Sequence, residues 1–179
     1  MKLKTEIAMM LGRLMAVISV VMLLLVSPAQ ALQKANKARQ QEVAKRGSQV
    51  MPFTLNSILH IFEKINSGGI QQVIVKDQSD TGQIRMIREH LIKISKEFAR
   101  GDFSAPASIH GPDMPGLAEL EKANSGQLRI EYQELPKDAQ IEYSSDNPNL
   151  IDAIHRWFDE QLSDHAGTLP GRPGQQDQQ

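Results

Sequence analysis

Leu59-His-Ile-Phe-Glu-Lys-Ile65, Asn66-Ser-Gly-Gly69 and Ile70-Gln-Gln-Val-Ile-Val75 follow one another without a break, and their reading decides the fold. The outer two runs are rich in β-branched residues. The link between them ends in two glycines, which supply the positive φ angles of a tight hairpin. Downstream, Asp77 and Ser79/Asp80 offer a cap, Ile84, Ile87, Leu91, Ile94 and Phe98 recur at helical spacing, and Gly101 offers a stop. A helix there lays one apolar stripe on the hairpin.

The second half repeats this order. Leu128-Arg-Ile-Glu-Tyr132 and Ala139-Gln-Ile-Glu-Tyr143 alternate with period two on either side of a turn at Leu135-Pro-Lys-Asp138. Asn147 then caps a helix with Pro148 in its first turn and Leu150, Ile151, Ile154, Trp157, Phe158 and Leu162 on its buried side. The expectation is an α+β fold of order ββαββα, two hairpins in one antiparallel sheet with the helices on one face. The halves share this architecture without detectable sequence identity. Between them, Phe103–Gly116 holds three prolines and two glycines and reads as a long loop leading to a helical stretch near Leu117 to Ala123. Long loops inside a small domain often carry function.

Outside this core the chain changes character. Lys2, Lys4 and Arg13 precede the apolar run Leu14–Val26, and Ser27-Pro-Ala-Gln-Ala31 places small residues at the minus-three and minus-one positions. That is the layout of a secretory signal peptide cut after Ala31, with an uncleaved anchor as the alternative; the apolar run is short for a membrane-spanning helix. The expected organisation is a signal peptide at 1–31, a basic polar linker at 32–50, a single α+β domain at 51–165 and a disordered tail at 166–179. The mature protein is then periplasmic or secreted, without stable membrane insertion.

The leader takes three of the 20 Lys and Arg and one of the 21 Asp and Glu, which leaves a net charge of −3 for the remainder. Such a balance gives no electrostatic footprint for nucleic acid. The chain has no cysteine, which excludes disulfide staples, c-type haem attachment and thiolate metal sites. No Gly-x-Ser-x-Gly elbow, phosphate loop or His-Glu-x-x-His helix occurs, and Asp77-Gln-Ser-Asp-Thr-Gly lacks the distal Glu of a calcium loop.

Chemistry therefore falls to His60, His90, His110, His155 and His165. His90 and His155 sit at the edges of their helical stripes and His165 within one, so imidazoles from two helices can meet the loop residues His110 and Met114. Neutral imidazole with thioether suits copper, the sulfur favouring the cuprous state, whereas imidazole with carboxylate suits zinc. The candidate metal ligands are His90, His110, Met114 and His155, and the candidate cofactor is a copper ion. Binding would weaken as the imidazoles take up protons, near about pH 6.5.

His60 shares a strand face with Phe62; it is an interior group if that face is the core and a surface binding spot if it is not. Met86, one helical turn before His90, is a second sulfur candidate, although gap-filling is the commoner use of methionine. Asp164 and His165 are adjacent on a helix and point about 100° apart, so they are not a catalytic pair. Trp157, Phe158 and Phe98 read as core aromatics.

His155-Arg-Trp-Phe-Asp-Glu-Gln-Leu-Ser-Asp-His165, Phe98-Ala-Arg-Gly-Asp-Phe103, Ile109-His-Gly-Pro-Asp-Met-Pro-Gly-Leu117 and Gly68-Gly-Ile-Gln-Gln-Val73 together resemble a family of small bacterial proteins of uncertain function, some members of which carry the label aspartate carbamoyltransferase. The resemblance runs from about Met51 to His165. That enzyme's Ser-Thr-Arg-Thr phosphate-binding motif is missing here, so the resemblance carries family membership and not the activity.

The functional expectation is an exported domain that binds a transition metal, copper first, or a metal-containing ligand, as a carrier, sensor or accessory factor. Two rivals stand beside it. One is a metal-free interaction module whose proline-rich loop docks another exported protein; the other is a small enzyme with His110 or His155 as general base near Asp113, for which no nucleophile is recognisable.

Overall fold

Eight residues on each side of a two-residue turn form the first hairpin, β1 (Ile58–Ile65) and β2 (Gly68–Val75), in a register that runs from Ile58 opposite Val75 to Ile65 opposite Gly68. The turn is therefore Asn66-Ser67. Gly68 and Gly69, expected in the turn, belong to β2 instead. Their lack of a side chain serves packing: a Cβ on Gly69 would lie 2.4 Å from the Phe158 ring. The computed structural model describes residues 28–165, with side chains from Asn36 onward, so positions 1–27 of the leader expected at 1–31 and the tail from Ala166 lie outside the described residues.

The second hairpin pairs β3 (Arg129–Glu134) with β4 (Ala139–Ser144), and β4 also pairs with β2, giving one antiparallel sheet of order β1-β2-β4-β3. Leu135 N–H donates to the Asp138 carbonyl across the second turn at 3.1 Å, where the sequence expected it. Ile58, His60, Phe62, Val73, Val75, Ile141 and Tyr143 are buried on the face that receives the helices.

Among the described residues five α-helices accompany the sheet: α1 (Pro28–Val50), α2 (Thr81–Phe98), α3 (Ser104–His110), α4 (Leu117–Glu121) and α5 (Pro148–Asp164). The α+β class holds, and the simple ββαββα order is extended by α1, α3 and α4. Asp80 caps α2 by accepting from Gln83 N–H at 3.0 Å, and Asn147 caps α5 by accepting from Asn149 N–H at 3.0 Å. These side chains satisfy amides that have no partner within a helix.

The loop expected at Phe103–Gly116 contains α3. Its proline content misleads because Pro106 occupies the first turn, where a missing N–H leaves no bond unmade. The Asp102 carboxylate accepts from both the amide and the hydroxyl of Ser104, at 3.1 and 2.6 Å, and so starts the helix. Gly116, at φ +81°, lets the chain run against α5: a Cβ there would come within 2.1 Å of the Ala153 carbonyl oxygen.

By packing, the chain divides into Met1–Ala38 and Arg39–Gln179, and the contacts below belong to the second unit. Residues 32–50, expected as a solvated linker, are helical. Their C-terminal part is docked: Val43 is 2% exposed, Gln40 Nε2 donates to the Ser163 carbonyl at 2.9 Å, and Arg39 reaches α5. Contacts this few leave no apolar period for sequence reading to find. The cleavage expected after Ala31 falls in the first turn of α1. Among the described residues no helix is long and apolar enough to cross a membrane.

An aromatic cluster ties the two halves together. Phe98 and Phe103 stack with centroids 4.5 Å apart, and Trp157 meets them edge-on at 6.0 and 5.8 Å. Contacts of this kind each add about 0.5–1.5 kcal/mol beyond area burial.

Candidate functional site: a buried histidine cavity

Beside this cluster lies a cavity of about 40 Å³, walled by residues of β1, β2, α2, α3 and α5 and of the segment that follows α1. Four of the five histidines line it: His60 from β1, His90 from α2, His110 from α3 and His165 at the end of α5. Period two places His60 inward with Phe62, and the helical period does the same for His90 within the stripe Ile87, His90, Leu91 and Ile94. His165 packs between two of the others, its ring centroid 5.3 Å from His60 and 5.1 Å from His110.

Burial governs the charge of these rings. His60 is pushed down to about 3, first by loss of hydration and then by the positive charge the neighbouring rings would carry. His165 is pushed down to about 4 by burial and then by His110, with Asp164 opposing, and His90 to about 4 by burial and then by Lys93. His110 is lowered by burial as well, against the pull of Asp164. Near pH 7 all four are neutral, and lone pairs on nitrogen are the chemistry they offer.

His110 is also oriented. Its Nδ1 lies 2.7 Å from Oδ2 of Asp164, a carboxylate with only 1% of its side chain exposed. Arg39 grips the same carboxylate with both arms: Nε donates to Oδ1 at 2.6 Å and Nη2 to Oδ2 at 2.8 Å. Nη2 further donates to Glu160 at 2.9 Å and to the His110 carbonyl at 3.3 Å. A carboxylate charge-paired in this way only accepts hydrogen bonds, so His110 Nδ1 carries the proton and Nε2 keeps the lone pair. A carboxylate behind the imidazole is the usual support of a metal-ligating histidine.

The remaining polar groups are amides and an indole. Gln71 Oε1 accepts from the Tyr143 hydroxyl at 2.6 Å, and Gln161, from α5, is buried and lines the cavity as well. Trp157 Nε1 is buried with no hydrogen-bond partner among the described residues.

Of the four ligands expected from sequence, His90 and His110 come to this cavity and the other two go elsewhere. Met114 is packed in the hydrophobic core. His155 turns to the first hairpin, where its Nε2 meets the carbonyls of Ile65 and Gly68 at 3.0 and 2.8 Å and secures the turn. Asp113, expected near His110, is exposed, and Asp164 stands beside the imidazole in its place.

Sequence reading missed His60, His165, Asp164 and Arg39 as members of the site. A signal existed for α5: Gln161 and Asp164 continue the buried spacing of Leu150, Ile154 and Trp157, and a carboxylate on a core-facing stripe demands a partner. For Arg39 there was none, since its partner lies 125 residues away.

As the side chains stand, no group of three or more His, Asp or Glu among the described residues is set to hold a metal ion. Compared with known proteins, the chain matches no family model, no curated protein and no solved structure.

Proposed function

We propose that this is an exported binding protein whose site is the histidine cavity and whose ligand is a single copper ion, held in the cuprous state. The observation that carries this reading is the gathering of His60, His110 and His165, from three separate elements, with centroids 5.1 and 5.3 Å apart. Imidazole nitrogens about 2.0 Å from one shared ion put ring centroids about 5–5.5 Å apart, close to that spacing. The rings now meet at 32° and 83°, so uptake involves their turning about Cβ–Cγ to bring nitrogens to a common point.

Charge favours the cuprous state. Asp164 is occupied by Arg39 and His110, which leaves imidazoles, amides and an indole to face the ligand. The cost of desolvating an ion rises with the square of its charge, so an uncharged buried site receives a monovalent soft ion more readily than a divalent one. The volume suits an ion rather than a haem-sized group. The segments behind the family resemblance supply Phe98, His110, Trp157, Gln161 and His165 to the lining of this cavity. Export is supported by the leader pattern at residues 1–31, and N-terminal sequencing of secreted protein checks it by a start at Leu32.

A second reading rests on Trp157, whose unpartnered indole N–H suits a small neutral molecule bearing one acceptor. Trp157 is the chain's single tryptophan, so its fluorescence reports on the cavity in either case. Anaerobic cuprous titration should change that fluorescence with an end point near one equivalent, and His60→Ala or His110→Ala should each weaken binding by tenfold or more. Equal and weak binding by wild type and His110→Ala overturns the copper reading.

A further inference from the structure

Outside the inner cavity, a surface groove of about 270 Å³ runs along α2 beside the end of α1. Val50, His90, Ile94 and Ala105 belong to the walls of both hollows, so these side chains are what separates the groove from the cavity. His90 is held edge-on against Phe53 with centroids 5.3 Å apart. Met86, one turn earlier on the same face of α2, lines the groove but not the inner cavity. A thioether and an imidazole thus open onto the same groove, and the imidazole also borders the inner histidines.

We infer that this groove is the port of the copper site, with Met86 and His90 forming an outer station that takes a cuprous ion first and passes it inward past His90. The inference rests on the copper reading above and adds a route to it. One sulfur and one nitrogen make a soft donor pair that matches the cuprous ion. Glu89 and Lys93 at the groove carry opposite charges, so the port is not strongly repulsive to a cation. Stepwise donor exchange, from Met86 and His90 to His90 with an inner ring, spares the ion an unligated crossing of the apolar wall formed by Val50 and Ile94. Copper stays cuprous throughout and no electron moves.

The test separates rate from affinity. Full-length protein is loaded anaerobically from a chromogenic cuprous chelator, and loading is followed by chelator absorbance and Trp157 fluorescence. Met86→Leu, which keeps the apolar volume, should slow loading at least fivefold and leave the equilibrium affinity within twofold of wild type. A parallel measurement uses protein labelled with ¹³C-methyl methionine and substoichiometric Ag(I), a diamagnetic stand-in for cuprous ion. The Met86 methyl should shift while that of Met114, packed in the core, stays in place. Loading of Met86→Leu at the wild-type rate, with an unmoved Met86 methyl, overturns the port and leaves the inner site standing. No uptake of copper by wild type overturns both.

Discussion

The two hairpins are paired in the same antiparallel manner and used differently. In the first, the inward faces of β1 and β2 carry His60 and Gln71 among their apolar residues, and both line the cavity. In the second, Ile130 and Tyr132 of β3 are half-buried against the core, and no residue of β3 or β4 is among the described residues that line the cavity. Its outer face is polar: Glu131 stands opposite Glu142, and Gln140 Nε2 donates to Gln133 Oε1 at 2.9 Å. The second hairpin has the cleaner alternation and supports the sheet. The first, whose pattern is interrupted by a buried histidine, a buried glutamine and two glycines, builds the site. Departures from local consistency mark the places where function or close packing has overruled it.

The largest test of this contrast is truncation of matched inward residues. Phe62→Ala removes a buried ring packed edge-on against Phe158 at 5.1 Å and should cost about 3–4 kcal/mol in urea melts. Ile130→Ala, on the half-buried strand, should cost about 1 kcal/mol. Equal losses would break the comparison.

Next comes the clamp behind the site. Arg39→Ala leaves Asp164 buried beside His110 without its cation and should destabilise by about 2 kcal/mol, less than for a wholly buried pair because the guanidinium is half open to water. A double-mutant cycle with Asp164→Asn should return a coupling of the same order. Additive losses would mean that the two side chains act separately.

The histidines of the first half should also give the protein a pH signature. In the unfolded chain each ring takes up a proton near about pH 6.5, whereas folded His60 resists to about 3 and His90 to about 4. The unfolded state therefore binds more protons in this window. Stability should fall as pH drops from about 6.5 toward 4, with a slope of up to about 1.4 kcal/mol per pH unit for each ring, and level off once the folded rings protonate too. Melts from pH 7 to 4 check this; His60→Gln should flatten the slope and Tyr132→Phe, in the second hairpin, should leave it unchanged. The smallest effect is expected on the outer face of the second hairpin, where Gln133→Ala should shift stability by no more than about 0.5 kcal/mol.

Most of the fold was legible. The runs 59–65, 70–75 and 139–143 lie within strands and 128–132 does so from Arg129 onward, and Asp80 and Asn147 begin two of the three long helices. The candidate site was half legible: His90 and His110 both line the cavity, while Met114 and His155 do not. Helical spacing places a residue on a stripe. It does not say which neighbour that part of the stripe touches, and His155 found the carbonyls of the first turn in place of the cavity.

Sequence alone determined the strands, the long helices after each hairpin and their caps, because periodicity, cap chemistry and turn residues act over a few positions. Tertiary structure decided which face of β1 turns inward, since Leu59 and Ile61 are apolar on one side and Ile58 and Phe62 on the other. It also decided that His60 joins His110 and His165, and that Asp164 binds His110, 54 residues away, and not its neighbour in sequence. A buried carboxylate and buried imidazoles are tolerable only where partners from distant elements meet them, and that meeting is a property of how the elements pack.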